Sequence, residues 1–110
     1  DRTDVKTSFS GAIDRHQIGP MILMTLIENA FKHGVMNVSG KSWIDFNVQA
    51  EEAGIYITIR NSYQKSSSGN GIGLENLKSQ LDYLYQDNYQ LKIDQSIQHE
   101  YSIQLTLHSR

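Results

Sequence analysis

Four stretches of the chain alternate apolar and polar residues with a period of two, and this pattern restricts the fold more than anything else in the sequence. They run through Ile44, Phe46 and Val48; through Ile55, Ile57 and Ile59; through Tyr89, Leu91 and Ile93; and through Tyr101, Ile103, Leu105 and Leu107. A strand sends successive side chains to opposite faces, so each stretch is expected to be a strand with one packed and one wet face. Glu51 to Gly54 reads as a hairpin turn joining the first two strands, and Ser96 to Glu100 as one joining the last two. A weaker leading strand is expected over Val5 to Gly11.

A sheet with one apolar face needs a second layer, and two segments have the helical period to supply it. Pro20 suits a first helical turn and Gly34 a stop. Between them Leu23, Leu26, Ile27, Ala30 and Phe31 form an i, i+3, i+4 stripe, with Thr25, Glu28, Asn29 and Lys32 expected opposite. A second helix is marked by Leu74, Leu77, Leu81 and Leu84, and it ends at Tyr85-Gln86-Asp87-Asn88. Both helices should cover the same face of a largely antiparallel sheet. The expected class is an α/β (α+β) two-layer sandwich, and 110 residues leave room for a single domain spanning 1–110.

Composition narrows the function. With 38% hydrophobic and 20% charged residues the chain is that of a globular protein. Its formal charge of -2 gives no broad positive field, which disfavours a nucleic-acid partner. The absence of cysteine removes disulfides and thiolate metal sites, and fits the cytoplasm. The most apolar run, Ile18 to Ile27, is much shorter than the roughly 20 residues of a membrane span. The opening Asp1-Arg2-Thr3-Asp4 has neither an initiator Met nor a signal sequence, so the chain reads as a piece of a longer protein.

Two clusters carry chemistry. On the first helix Glu28, Asn29, Lys32 and His33 bring an acid, an amide, a cation and an imidazole within two turns. An amide oxygen can ligate Mg²⁺, which keeps waters and substrate phosphates in its other positions, and a carboxylate can orient a nucleophile. A solvated helix face with one ion pair explains each residue singly, and only the cluster argues for a site. The second cluster is Gly69-Asn70-Gly71-Ile72-Gly73-Leu74, which runs into the second helix. Its glycines can turn N–H groups toward an anion at a helix N-terminus, although a flexible linker with a glycine cap accounts for the hexapeptide equally well. It is neither a P-loop, having no Gly-Lys-Ser/Thr, nor a dinucleotide G-x-G-x-x-G.

Taken together and in order, these residues resemble a known family. Ile18-Gly-Pro-Met-Ile-Leu with Leu26-Ile-Glu-Asn-Ala-Phe-Lys-His-Gly34 is similar to the N box of sensor histidine kinases of the GHKL superfamily, particularly the LytS-like group that partners LytTR-type response regulators. Gly71-Ile-Gly-Leu-Glu-Asn76, then Leu81 and Leu84-Tyr85, resembles that group's G2 box and following helix. The resemblance implies the Bergerat fold, with ATP held between the long helix and a lid at Ser62 to Asn70. It implies Asn29 as the Mg²⁺ ligand, Glu28 as base or polariser of the attacking imidazole, and Lys32 and His33 as contacts to phosphate or ribose. Gly69, Gly71 and Gly73 would give N–H groups to the phosphates, with Lys65 an additional cation and Ile72 and Leu74 completing the nucleotide contacts.

The same resemblance implies that the γ-phosphoryl group passes to a histidine on a dimerisation helix outside this chain, and then to a response regulator. The complete protein would be a membrane-anchored bacterial homodimer, with this domain in the cytoplasm. Two departures stand out. Asn61 occupies the position of the Asp expected to accept a hydrogen bond from the adenine amine, and Glu100-Tyr101 replaces a Gly-Thr before the last strand. A charged acceptor makes a bond about twice as strong, so from sequence Asn61→Asp should tighten ATP more than GTP. The rival readings are a degenerate domain that docks partners without holding ATP, and another GHKL ATPase of the chaperone, topoisomerase or mismatch-repair kind.

Overall fold

The computed structural model describes residues 3–11, 20–32, 41–63 and 71–108. In chain order they form β1 (Thr3–Gly11), α1 (Pro20–Phe31), β2 (Ser42–Glu51), β3 (Gly54–Ser62), α2 (Gly71–Tyr85), β4 (Tyr89–Asp94) and β5 (Glu100–His108). The strands make one five-stranded sheet in the order β1-β2-β3-β5-β4. All pairs are antiparallel except β1 with β2, which run parallel and need the long connection that contains α1. The four alternating stretches and the leading strand therefore all became strands.

Period two sorts the sheet into faces. Ile44, Phe46 and Val48, then Ile55, Ile57 and Ile59, then Tyr101, Ile103, Leu105 and Leu107 share one buried cluster with Ile22, Leu26 and Ala30 of α1 and Leu77 and Leu81 of α2. One cluster containing both helices and a single sheet face means that both helices lie on that face. The opposite face carries polar residues such as Asp45, Thr58, Arg60 and Gln104. No helix among the described residues is long and apolar enough to cross a membrane.

The β2–β3 turn is tight. Glu51 pairs with Gly54, leaving Glu52 and Ala53 as the two-residue loop. At Gly54 a Cβ would stand 2.2 Å from the carbonyl oxygen of Leu107 in β5, and φ is 158°. Gly54→Ala should therefore cost about 1–3 kcal/mol, read as a lower urea midpoint. The β4–β5 connection is closed by Asp94 Oδ1, which accepts from the Ser96 N–H at 2.8 Å, and by the Glu100 N–H donating to the Ile97 oxygen at 3.2 Å.

Both helices are turned relative to the stripes expected from sequence. On α1 the buried line is Ile22, Leu26, Ala30 and, at 7% exposure, Asn29, while Ile27 and Phe31 are 37% and 43% exposed. A polar contact accompanies the rotation: Thr25 Oγ1 donates to Gln80 Oε1 of α2 at 3.0 Å. Counting apolar residues cannot anticipate a buried amide. On α2 Leu84 is exposed and Tyr85 packs on the core instead, as 3.6 residues per turn requires. The helix stops at Gln86, whose φ of 54° is left-handed and whose N–H reaches the Asp82 oxygen at 3.1 Å. Gln86→Gly removes the Cβ penalty there and should add about 1 kcal/mol, raising Tm by a few degrees.

Candidate functional site

Register decides which end of the sheet can hold a site. Asn61, near the C-terminal end of β3, is the cross-strand partner of Tyr101, near the start of β5. The Asn29 side chain acts on the Tyr101 phenol, which brings the last turn of α1 to the same end. β4 starts opposite Leu107, at the far end of β5, so α2, three residues earlier, finishes there. Its 15 residues span about 22 Å, which carries the N-terminus at Gly71 back toward the Asn61 end. The last turn of α1 and the glycine-rich start of α2 thus lie toward the same end of the sheet.

Asn61 lies on the helix-facing side with Ile55, Ile57 and Ile59 and is only 2% exposed. Its Nδ2 donates to the Ser62 carbonyl oxygen at 2.7 Å. That bond fixes the amide, leaving Oδ1 as the atom able to accept from a ligand. Ser62 is itself locked to β2: its Oγ accepts from the Trp43 N–H at 3.0 Å and donates to the Trp43 oxygen at 3.3 Å. Tyr63 follows, with its N–H on the His99 oxygen at 2.9 Å.

Tyr101, the cross-strand partner of Asn61, was legible only as an apolar position and as the absence of a Gly-Thr. Its side chain is 3% exposed, and its ring meets that of Tyr63 edge-on, with centroids 5.4 Å apart and planes at 65°. Burial pushes its phenol above the ordinary value near 10, and the Asn29 bond partly offsets this.

Of the other expected site residues, Glu28 is exposed on α1 beside Asn29, and Lys32 is exposed just past the end of that helix. Gly71, Ile72 and Gly73 form the first turn of α2, and Leu74 is half-buried against the core. His33, Lys65 and Gly69 lie outside the described residues. On the opposite sheet face, behind Asn61, Arg60 makes a two-pronged pair with Glu100 at 3.0 and 3.1 Å and stacks 5.6 Å from the Trp43 ring centroid. The Glu100 bond raises the Arg60 pKa, but the pair is exposed and adds little stability. A cleft of about 430 Å³ between Lys78, Asp82, Gln86 and Tyr89 is at the other end of α2 and contains none of the expected site residues.

With this geometry in hand, the chain is similar in shape to solved histidine kinases. The nucleotide-free catalytic domain of the histidine kinase ThkA matches with a TM-score of 0.70 and 10% identity, covering 97% of this chain and 80% of that one. The Acinetobacter baumannii histidine kinase AdeS matches with a TM-score of 0.65 and 8% identity, over 97% of this chain and 54% of that one. No protein-family model and no curated protein matches the sequence. At these identities the likeness concerns the fold: a mixed five-stranded sheet with two helices, the Bergerat-like α/β fold of histidine kinase catalytic domains.

Proposed function

We propose that this domain binds ATP with Mg²⁺ at the Asn29–Tyr101–Asn61 end of the sheet and donates the γ-phosphoryl group to a histidine on a dimerisation helix outside the chain. A response regulator, of the LytTR type in keeping with the LytS-like N and G2 boxes, would then take the phosphoryl group. The observation that carries the reading is the pair of buried amides at one end of the sheet: Asn61, whose NH₂ end is tied to the Ser62 carbonyl oxygen, and Asn29, which acts on the Tyr101 phenol beside it. Asn61 Oδ1 is suited to accept from the amino group of adenine. Asn29 Oδ1 is a hard oxygen of the kind Mg²⁺ takes, and no cluster of three His, Asp or Glu competes with it among the described residues.

The chain's own residues divide the remaining work. Backbone N–H groups at Gly71 and Gly73, with Ile72 and Leu74 beside them, open α2 and favour phosphate through the partial positive charge of its N-terminus. Lys32 adds a mobile cation, and His33, Lys65 and Gly69 are assigned to phosphate and lid contacts. Glu28, exposed next to Asn29, is the group to orient or deprotonate an incoming imidazole. Bound Mg²⁺ would neutralise charge on the phosphates, and phosphoryl transfer asks chiefly for that and for positioning. The whole protein is read as a membrane-anchored homodimer with this domain in the cytoplasm.

Calorimetric titration with ATP, with and without Mg²⁺, tests the reading. Saturable binding strengthened by Mg²⁺ is expected; no binding at millimolar nucleotide would favour a partner-docking domain that has lost ATP. In the full-length protein an acid-labile phosphate on histidine is expected, whereas steady hydrolysis without it would point to a clamp-type ATPase.

A further inference from the structure

The outer edge of β1 is open: no described strand pairs with it, and its residues from Asp4 to Gly11 are exposed. Such an edge presents a row of unpaired N–H and C=O groups, a template for another strand. Asp4 and Lys6 share the polar face of β1, and among the described residues no ion pair holds either of them. On that face the register sets Arg60 opposite Asp45 and Asp45 opposite Lys6, so charge alternates outward from β3 and ends on a cation at the edge. An acid is what the next strand would need there, since opposite charges directly across a sheet attract and like charges repel.

Thr3-Asp4-Val5-Lys6-Thr7 supplies that acid itself. Laid antiparallel to its own copy about Val5, it sets Asp4 opposite Lys6 twice, Val5 opposite Val5 and Thr3 opposite Thr7. We propose that β1 is a self-association edge, at which two copies of this chain pair their β1 strands antiparallel about Val5 and join their five-stranded sheets into one. The complementarity belongs to this register. Centring the pair at Lys6 would set lysine against lysine, and centring it at Thr7 would leave Asp4 and Lys6 facing serines. On the helix-facing side Val5, opposite the buried Ile44 and itself 49% exposed, is covered by Val5 of the other copy. An edge lysine ordinarily discourages pairing, but Asp4 makes this strand complementary to itself.

The chain has no cysteine, so a single introduced thiol reports what it meets. A residue at the centre of the pair meets itself, with Cα atoms about 4.5–5.5 Å apart, which is within disulfide reach. Val5→Cys, Thr7→Cys and Tyr83→Cys, the last 84% exposed on α2, are oxidised at equal concentration without nucleotide. Val5→Cys should form the covalent dimer about tenfold faster than the other two, because pairing replaces random collision by proximity. Equal rates for all three would overturn the self-association edge and leave β1 to a strand of some other chain, and a faster Thr7→Cys would overturn the Val5 register. Sedimentation supplies the second measurement: Asp4→Lys and Lys6→Asp should each be monomeric where the wild type self-associates, and mixing the two variants should restore a dimer in which every cation again meets an acid. A wild type that stays monomeric throughout, or a mixture no more associated than its parts, overturns the proposal. Where a charge reversal unfolds the chain, the cysteine rates, which involve no change of charge, decide alone.

Discussion

Asn61→Asp is expected to destabilise the domain and to weaken ATP binding, although an aspartate is what the resembled family carries at this position. Sequence reasoning alone gave the reverse, because it weighed only the stronger acceptor. The structure adds the partner on the other side: Asn61 Nδ2 donates to the Ser62 oxygen at 2.7 Å, and a carboxylate has nothing to donate there. Two acceptors would face each other at a position 2% exposed, for a loss of about 3 kcal/mol at neutral pH. Protonation would restore a donor, so the new carboxyl should have a raised folded pKa. Its share of stability is then fully present below the unfolded value of about 3.9 and lost as pH rises through the folded one. Urea unfolding at neutral and acid pH should show the deficit shrinking on acidification. A deficit that is constant with pH would mean that the Ser62 contact is unimportant.

Asn29→Ala should abolish the tightening of ATP by Mg²⁺, a loss on the order of ten- to hundredfold at saturating metal. Calorimetry at matched ionic strength reads it, and an unaltered Mg²⁺ dependence removes Asn29 from the metal site. The same change empties a buried position, so a stability loss of about 1–2 kcal/mol should accompany it in thermal melts. Cooperative unfolding would show that the fold itself is retained. The two effects are separable because one depends on metal and the other does not.

Much of the fold was legible because its strands alternate strictly, and alternation survives in any context where one face is buried. Turn placement followed from Gly54 and from the polar run before Glu100. The helix faces were less legible. Ile27 and Phe31 have the right residue types for a core, but α1 is turned to bury Asn29 and to bond Thr25 to Gln80, which is far away in sequence. The parallel pairing of β1 with β2 also left no local trace, since it is set by where the connection returns. For the site, Asn29 and Asn61 stood out through the resemblance, whereas Tyr101 was hidden in an apolar series.

Arg60 and Asn61 are consecutive, yet one joins the Trp43–Glu100 pair on the polar face and the other faces the helices. A one-residue insertion or deletion within Gly54–Asn61 would exchange them, sending a guanidinium toward the amides and the amide into water. Length changes in this hairpin are therefore tolerable only at Glu52-Ala53, where lengthening the loop leaves the phase of the strand untouched.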